Sequence, residues 1–566
     1  NTEFVKQGRI MALKYKYNGK TKFIIVTGGV ISGLGKGVAA ASIGALLSSK
    51  MKVVPIKCDG YLNTDPGTMN PTEHGEVFVL DDGGECDMDF GHYERFLNVT
   101  TKKDWSLTMG RIFKMILEKE RRGDYLGHTV QFIPHVTDLI KEQFYRIADQ
   151  EKADVVLIEI GGTIGDLENQ FYIEATRQLS HEVGNHNSIS VHLTYVPIPS
   201  GVNEQKSKPT QMSVRDLNRL GIYPEIIICR SEEYIKAHLK EKIGLFCNLP
   251  ADHVISGVDV QHVYECPLVF DAEGISEILS KTLSIYAPPR LEQWSKLVEA
   301  LKRNQVNPRK TLTVAICGKY LALEDSYASV IEAISHASAH LDLCTKIRWV
   351  DTEKIETGAI SAETALKGVS AVIVPGGFGS RGIEGKIEII RYVRENKIPF
   401  LGICYGMQLS VVEFARNVCG MKGAGTIEME SENNHVEFPV IDLLPSQKNI
   451  QEMGATMRLG GHDVIIKDSS RAAEIYGSLA IRERFRHRYE VNPKYVLQIE
   501  KGDVSGSKSQ KLLFSGKAGN EEIMQIMELS EHPYFLACQF HPELKSSLIH
   551  SVPLFYGLLK AADEKK

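Results

Sequence analysis

The sequence predicts an α/β protein of two domains, each a mainly parallel sheet flanked by helices. Its 566 residues exceed a single typical domain, which holds roughly 100–200 residues. Short apolar runs alternate with longer polar or helical stretches, as in parallel strands joined by crossovers. The pattern breaks once, at the APPR segment 287–290. We therefore predict an N-terminal extension, a first domain, a linker and a second domain at residues 1–20, 21–287, 288–308 and 309–562.

The amino-acid composition indicates a globular protein and argues against nucleic-acid and membrane partners. Hydrophobic residues make up 43% and charged residues 24% of the chain, as in ordinary globular proteins. The formal net charge of −5 offers no basic field, so we expect no nucleic-acid partner. No apolar run approaches the ~20 residues of a membrane span, and residues 1–20 lack a signal-peptide core, so we expect no membrane partner. Ten cysteines lie scattered without a C-x-x-C pair, which favours a cytoplasmic location.

The first domain begins with a predicted strand at 23–26, a glycine-rich turn and a small-residue helix at 37–49. An amphipathic helix at 102–122 is predicted for the outer layer. Further strands are predicted at 53–56, 155–160, 190–196 and 226–229. This order of elements predicts a Rossmann-like sheet of the P-loop type.

The second domain follows a predicted charged helix at 291–304. Its strands are predicted at 312–316, 371–374, 400–403 and 535–540. Residues 501–520 are rich in Gly, Ser and Lys, which indicates a mobile surface insertion.

The turn TGGVISGLGKG at 27–37 has the composition of a phosphate-binding loop. Backbone N–H groups and the following helix N-terminus bind phosphate in such loops, and Lys36 would supply positive charge. The loop departs from the G-x-x-x-x-G-K-[ST] pattern because Val30 replaces the first glycine and Gly37 replaces the Ser or Thr that contacts magnesium. The alternative is a plain glycine turn. The predicted phosphate contacts are Ser32, Gly33, Leu34, Gly35, Lys36 and Gly37.

Metal ligands must then come from outside the loop. Asp89 lies in the acidic segment 85–89, and Glu159 lies near the end of the apolar run 155–160. Carboxylates at the end of a strand suit Mg²⁺ that bridges nucleotide phosphates. The alternative is a pair of solvated acids.

The segment GICYG at 402–406 follows an apolar strand and precedes a predicted helix. It matches the turn that exposes a nucleophile, with Cys404 in place of serine. Near the C-terminus, an apolar strand leads into His541-Pro542-Glu543. Two residues apart on extended chain, His541 and Glu543 share a face. Taken singly, Cys404 and His541 are more simply a core cysteine and a satisfied histidine; together they predict a catalytic triad.

Such a triad predicts a glutaminase. His541 would keep Cys404 as a thiolate, Glu543 would fix the imidazole tautomer, and the thiolate would attack a glutamine side-chain amide to form a thioester and release ammonia. The oxyanion needs backbone donors, and the glycine-rich turn 375–379, with Gly377, offers them.

Four longer motifs resemble the CTP synthase family, in which an amidoligase domain is fused to a class I glutamine amidotransferase domain. They are VTGGVISGLGKG at 26–37, DPGTMNPTEHGEVFVLDDGGECDMDFGHYERF at 65–96, EIGGTIGDLE at 159–168 and KSKPTQ at 206–211. The resemblance covers nearly the whole chain. It implies that ammonia from glutamine is transferred to UTP.

For the first domain, the resemblance implies ATP at Lys36, Mg²⁺ at Asp89 and Glu159, and phosphorylation of O4 of UTP. Ammonia then displaces this phosphate; the carbonyl oxygen alone is a poor leaving group. The resemblance also implies a site for UTP, and for CTP as feedback inhibitor, at Lys206, Lys208, Gln211, Lys242, Asp166 and Glu168. The alternatives are solvated lysines and ordinary acids at a helix N-terminus.

For the second domain, the resemblance implies that glutamine is held by Gly377, Phe378, Gln408, Glu428 and Arg488. The segment 454–460 resembles a lid associated with activation by GTP, although it also reads as a plain surface loop. Tyr405 stands where the family commonly has leucine. A homotetramer is implied, and in some members filaments.

Two other interpretations stay open from the sequence. One is another amidoligase of the same two-domain plan, such as a cobyrinic acid amidating enzyme, against which the segment KSKPTQ argues. The other is a non-catalytic nucleotide-switch ATPase, against which the triad argues.

Overall fold

The computed structural model describes residues 14–70, 75–318, 324–377, 381–430, 435–443, 457–502, 511–519 and 522–565. The chain divides into two compact units. The first comprises Asn1–Asp65 and His92–Ser295, and the second comprises Pro66–Gly91 and Lys296–Lys566.

This division differs from the predicted bounds in two respects. The segment Pro66–Gly91 groups with the second unit, where its carboxylates pair with arginines of that unit. Asp81 pairs with Arg482 at 3.0 Å and Glu85 with Arg486 at 2.8 Å. The other boundary falls after residue 295, inside the helix Glu292–Val306, which confirms the charged helix predicted at 291–304 and lies within the predicted linker.

The sheet of the first unit is parallel at every pairing of its described strands. The strand order is Ser106–Thr108, Val53–Asp59, Val155–Ile160, Lys22–Gly28, Ser188–Tyr195, Ile226–Ser231 and Val254–Val258. Residues of Val155–Ile160 are all buried, which explains their near-continuous apolar sequence.

Helices cover this sheet. They are Lys36–Ser48, Met109–Arg121, Thr137–Gln150, Gln170–Val183, Lys208–Arg219, Ala237–Cys247, Cys266–Ala272 and Ile275–Leu283. Shorter helical turns lie at Lys103–Trp105, Phe132–Val136, Leu167–Asn169, Ala251–His253 and Val263–Glu265. The helices Asp89–Leu97 and Glu292–Val306 each contain a boundary between the units.

The helix predicted at 102–122 was too long at its N-terminal end. Ser106–Thr108 instead add an edge strand beside residues 57–59. The helix begins at Met109 because Oγ1 of Thr108 accepts a hydrogen bond from the Arg111 N–H at 3.1 Å, an N-cap that stabilises a helix start.

The main sheet of the second unit has nine strands among the described residues. Their order is Cys344–Asp351, Thr311–Gly318, Ala371–Val374, Phe400–Ile403, Phe535–Cys538, Met524–Leu529, Leu512–Ala518, Arg458–Ile466 and Ala480–His487. The first five are parallel, and the later pairings are antiparallel. The sequence predictions found parallel strands and missed this antiparallel half.

Smaller elements complete the second unit. Its helices are Ala328–Leu341, Thr352–Glu356, Ala362–Leu366, Ile383–Glu395, Tyr405–Asn417, Arg471–Tyr476, Pro493–Lys501 and Pro553–Glu564. Minor strands lie at Phe78–Val79, Glu85–Cys86, Ala424–Thr426, Phe438–Leu443 and Tyr489–Val491. Short helical turns lie at Pro66–Thr68, Glu324–Tyr327, Ile427–Met429 and Pro542–Lys545.

The core of this unit lies on both faces of its sheet. Val372 and Val374 pack with the cluster that includes Ile390 and Met407, whereas Ile373 packs with the opposite cluster. This alternation follows from the two-residue period of a strand. It places the C-terminal ends of the parallel strands, where the site lies, on a rigid support.

The surface insertion predicted at 501–520 was wrong for residues 512–518. They form an inner strand paired with Met524–Leu529 and with Arg458–Ile466. Leu512, Phe514 and Ala518 are buried, so this part contributes to the core. Residues 503–510 lie outside the described residues. Within the described part of the chain, no helix is long and apolar enough to cross a membrane.

Candidate functional site

Cys404 occupies the sharp turn between the strand Phe400–Ile403 and the helix Tyr405–Asn417. Its backbone has φ 52° and ψ −101°, a sparsely populated conformation that a surrounding structure must impose. The helix packs so closely on the sheet that a Cβ on Gly406 would lie 2.1 Å from the carbonyl oxygen of Val374. Only glycine fits there, which explains the glycine two residues after the cysteine.

His541 and Glu543 follow the neighbouring strand Phe535–Cys538. Nδ1 of His541 lies 2.7 Å from Oε1 of Glu543. A Cβ on Gly376 would lie 2.9 Å from Cε1 of His541 and 3.5 Å from Cβ of Cys404. The imidazole therefore lies beside both the cysteine and the glycine-rich turn, and the three predicted triad residues are brought together.

The protonation state of His541 follows from the groups around its imidazole. Burial lowers the pKa of His541, but the negative charges of Glu543 and Cys404 and hydrogen bonds to both outweigh burial, and together raise this pKa to about 10. The imidazole is thus protonated at neutral pH, which favours a thiolate–imidazolium pair.

The sulfur of Cys404 has two further polar neighbours that the sequence predictions did not name. Nε2 of Gln539 lies 3.5 Å from Sγ, and the main-chain oxygen of Arg486 lies 3.8 Å from it. The period-2 alternation of the strand leading into His541 was the available signal, since residues 539 and 541 share a side.

A cavity of about 330 Å³ opens beside the nucleophile. Its lining includes Cys404, His541, Gly376, Gly377 and Arg488. The structure thus gathers the predicted nucleophile, its predicted histidine, part of the glycine-rich turn and a guanidinium around one space. Of the predicted glutamine contacts, Phe378 lies outside the described residues.

Gln408 and Glu428 lie near the same centre. Gln408 is buried, and its Nε2 donates to the main-chain oxygen of Tyr489 at 2.8 Å. Its Oε1 has no hydrogen-bond partner among the described residues. Burial and then the charge of Glu428 raise the pKa of Tyr405, so the Glu428 carboxylate acts electrostatically on the residue next to Cys404.

Tyr405, the departure from the expected leucine, is buried in the core. The ammonium of Lys386 lies over its ring, 5.1 Å from the centroid. The aromatic ring therefore packs in the core cluster that includes Val372, Val374 and Met407.

In the first unit, the loop after Lys22–Gly28 has the geometry of a phosphate cradle. Gly33 and Gly35 adopt φ of 73° and 86°, and Val30 adopts φ 76°. Gly35 caps the helix without any side-chain hydrogen bond, and no acidic residue lies in the first turn. The first N–H groups of a helix have no intrahelical partner, so this end suits an anion.

Lys36 is buried, and its ammonium donates to the main-chain oxygen of Gly162 at 2.6 Å. That oxygen belongs to the turn after Val155–Ile160. Asp166 closes the same turn by accepting hydrogen bonds from the N–H and the hydroxyl of Thr163, at 2.6 and 2.9 Å. The structure therefore brings Lys36 and Asp166 to one turn.

Glu159 is buried at the end of its strand. Its Oε1 lies 2.7 Å from the Lys57 ammonium, and its other oxygen accepts from the hydroxyl of Tyr93. Lys57 also lies 3.8 Å from Asp59, a carboxylate the sequence predictions missed. Asp89 begins the helix Asp89–Leu97 and falls within the segment assigned to the second unit.

The remaining predicted nucleotide contacts lie at the surface of the first unit. Lys206 pairs with Glu204 at 2.6 Å, and Nε2 of Gln211 donates to the Ser207 hydroxyl at 3.1 Å. Lys208, Lys242 and Glu168 are exposed.

Comparison with known proteins identifies the family. Residues 22–285 match the family described as CTP synthase N-terminus, and residues 322–561 match glutamine amidotransferase class-I. The CTP synthase of Borreliella burgdorferi is 52% identical over 540 residues, covering 95% of this chain and 99% of that protein. The chain belongs to the CTP synthase family.

The CTP synthase of a second organism gives the same result. That of Thermococcus gammatolerans is 49% identical over 549 residues, covering 96% of this chain and 99% of that protein. A solved structure of the glutaminase domain of Trypanosoma brucei CTPS with bound acivicin is 35% identical over 45% of this chain and 95% of that one, with a TM-score of 0.41.

Membership in the CTP synthase family decides the acceptor that the triad left open. The protein is a glutamine-hydrolysing ligase that aminates UTP to CTP. The two other interpretations, a cobyrinic acid amidating enzyme and a nucleotide-switch ATPase, are set aside because the first domain matches the CTP synthase N-terminus and whole CTP synthases are about half identical to this chain.

Proposed function

We propose that Cys404, His541 and Glu543 release the ammonia that this CTP synthase transfers to UTP. The observation that carries the proposal is the pairing of His541 with Glu543 at 2.7 Å beside a cysteine held at φ 52°. A protonated imidazole next to a sulfur that borders a cavity is the arrangement of an activated thiolate.

The chemistry follows from these groups. The thiolate attacks the side-chain carbonyl carbon of glutamine, and the C–N bond breaks as His541 donates its proton to the leaving ammonia. The neutral imidazole then accepts a proton from water, which hydrolyses the thioester to glutamate and regenerates the thiolate. Glu543 keeps Nδ1 protonated so that Nε2 faces the reacting atoms.

Backbone donors would hold the oxyanion. The N–H of Gly377 and the N–H of Tyr405, the residue after the nucleophile, are candidates, because a helix's first N–H groups lack internal partners. The substrate head group carries both charges, which suits Arg488 for its carboxylate and Glu428 for its ammonium. Gln408 would accept from the substrate amide through its buried, unpartnered oxygen, and Phe378 stays a prediction.

Replacement of the nucleophile tests the assignment. We expect Cys404→Ala to abolish glutamine-dependent CTP formation while leaving synthesis from free ammonia at the parent level, because only the nitrogen source is lost. Cys419→Ala is the matched control, since Cys419 is a buried cysteine of the same unit whose sulfur donates to the main-chain oxygen of Ile499 at 3.7 Å. Glutamine-dependent synthesis by Cys404→Ala would contradict the proposal.

In the amidoligase half, we infer that ATP phosphates occupy the loop from Ser32 to Gly37 and that Lys36 neutralises their charge. The uncapped helix end and the glycines at positive φ support this assignment. ATP would phosphorylate O4 of UTP, and ammonia would displace the phosphate at C4. A lysine at the phosphates stabilises charge that develops during phosphoryl transfer.

Mg²⁺ fits the acidic end of Val155–Ile160. Glu159 and Asp59 flank the single ammonium of Lys57, and Mg²⁺ in nucleotide sites takes one or two carboxylates while phosphates supply other oxygens. We propose Glu159 and Asp89 as its ligands. When bound, the ion would neutralise phosphate charge.

For the pyrimidine nucleotide, we propose contacts from Lys206, Lys208, Gln211 and Lys242 to UTP, and from Asp166 and Glu168 in the pocket shared with inhibitory CTP. The ion pair of Lys206 with Glu204 is a surface pair, worth little, so the lysine is available to a triphosphate. GTP activation through the lid at 454–460 is proposed on the resemblance, and residues 454–456 lie outside the described residues.

We also propose an assembly and a compartment for this protein. A homotetramer, with filaments in some members, follows from the resemblance. A cytoplasmic location accords with ten free cysteines.

A further inference from the structure

We propose that Gln539 is a further catalytic residue of the glutaminase centre, whose carboxamide donates a hydrogen bond to the Cys404 sulfur and stabilises it as a thiolate. This rests on the proposed role of Cys404 as the nucleophile. The starting observation is the 3.5 Å separation between Nε2 of Gln539 and Sγ of Cys404.

The position of Gln539 is set by the main chain. It follows the strand Phe535–Cys538, which pairs in parallel with Phe400–Ile403. The N–H of Cys404 donates to the main-chain oxygen of Cys538 at 2.7 Å, and the N–H of Gln539 donates to that of Gln525 at 2.9 Å. These bonds fix the backbone positions from which the side chains of Cys404 and Gln539 extend.

The orientation of the amide is set by a chain of hydrogen bonds that ends on a backbone carbonyl. Nε2 of Gln408 donates to the main-chain oxygen of Tyr489 at 2.8 Å, a group that only accepts. The same nitrogen donates to Oε1 of Gln539 at 3.2 Å. If Gln539 were turned over, its nitrogen would face another donor, so the network requires that its N–H face the sulfur.

The direction of this bond selects one protonation state of the sulfur. A thiolate only accepts hydrogen bonds, and a bond to a charged group is stronger than a neutral one. Gln539 is fully buried, so no water competes for its N–H. The other neighbour, the oxygen of Arg486, accepts only and serves the neutral thiol. Gln539 therefore adds to His541 a second, uncharged donor for the thiolate.

The test follows the ionisation of Cys404 directly. The parent enzyme, Gln539→Met and Gln539→Glu are treated with iodoacetamide across pH, and the alkylated Cys404 peptide is quantified by mass spectrometry. We expect the rate at pH values below the parent midpoint to fall about tenfold in Gln539→Met and further in Gln539→Glu, where a carboxylate replaces the donor. The midpoint of the rate–pH profile should move up by about one unit, which is a tenfold change in thiolate population.

Controls separate this role from a structural one. Gln525→Met removes another fully buried glutamine, bonded to Glu490, and should leave the midpoint unchanged. Ammonia-dependent synthesis reports folding of each variant. The proposal is overturned if a folded Gln539 variant has the same midpoint in its rate–pH profile as the parent enzyme, even if its glutaminase activity falls.

If neither Gln539 variant folds, Gln408→Met decides, because it removes the group that orients Gln539 and leaves Gln539 in place. Its midpoint should move up by less than that of Gln539→Met, and an unmoved midpoint overturns the proposal. Failure of the underlying assignment looks different: Cys404→Ala would then keep glutamine-dependent synthesis, whatever the alkylation profiles show.

Discussion

The glutaminase centre and the phosphate loop are built on the same local plan. Each lies where a buried parallel strand turns sharply into a helix, and each holds a non-glycine residue at positive φ, Cys404 at 52° and Val30 at 76°. They differ in where their polar groups point. In the proposed glutaminase centre, His541 bonds to Glu543 and to Cys404, and Gln539 bonds to Cys404.

In the phosphate loop, the polar groups bond to the backbone and leave a helix end open. Lys36 reaches the oxygen of Gly162, and Gly35 caps its helix without a side chain. A site whose parts hold one another is organised before the substrate arrives. A site whose partner is a phosphate is completed only by the ligand.

Replacement of Lys36 should separate the two sites most strongly, because it should stop CTP synthesis without stopping glutamine hydrolysis. We expect Lys36→Ala to lower CTP synthesis by at least about 10³-fold with either glutamine or ammonia, since both routes need the transferred phosphoryl group. Hydrolysis of glutamine to glutamate should continue because the triad is intact. Rates of CTP and glutamate formation are measured side by side.

Lys50→Ala is the matched control for Lys36. It removes an exposed lysine just after the same helix, and both rates should stay at the parent level. Loss of glutamine-dependent synthesis alone in Lys36→Ala would contradict an ATP role for this lysine.

Replacement of Glu543 tests whether the internal bonds of the glutaminase centre set the protonation of His541. Burial lowers the pKa of His541, and the negative charge of Glu543 does most to raise it. Glu543→Gln removes that charge and leaves the burial in place. The imidazolium persists only below its pKa, so the alkaline limb of glutaminase activity should move from near pH 10 towards neutral, and the rate should fall by roughly 10²-fold. Glutamate release is measured across pH.

Two results bear on this prediction. Ammonia-dependent synthesis, measured at one fixed pH, should be unchanged and serves as the control for folding. An alkaline limb at the parent position in Glu543→Gln would show that Glu543 does not set the protonation of His541.

The sequence located the candidate residues of both sites best where one strand end carries them. The triad, the loop and Glu159 each follow an apolar strand, and these strands were found at or near their predicted bounds. The antiparallel strand Leu512–Ala518 was missed because its segment is rich in Gly, Ser and Lys, and its burial depends on pairing with distant strands. Local composition does not encode such pairing.

Contacts made across the chain were also beyond local patterns. Gln539 was visible only as part of a strand, and its bond to Cys404 depends on Gln408 and on strand register. Asp59 became a candidate site residue only in the structure, because the Lys57 ammonium contacts both Asp59 and Glu159. Single residues with ordinary neighbours in sequence acquire a role from the tertiary fold.

The smallest expected effect concerns the strain that the two turns share. At Cys404 a substitution would also remove the proposed nucleophile, but Val30 is exposed and its β-branched side chain is disfavoured at φ 76°. Relief of such strain is worth roughly 1–3 kcal/mol, and added glycine flexibility offsets about 0.5–1 kcal/mol of it. We therefore expect Val30→Gly to raise the thermal unfolding temperature by a few degrees, and Val30→Ile, which keeps the branch, to leave it unchanged.

Synthesis from both nitrogen sources should stay within about twofold of the parent if the loop needs only its conformation, as for phosphate binding by backbone N–H groups. A lower unfolding temperature in Val30→Gly would show that the valine side chain stabilises the loop by packing, and the two turns would then differ in their strain as well as in their bonding.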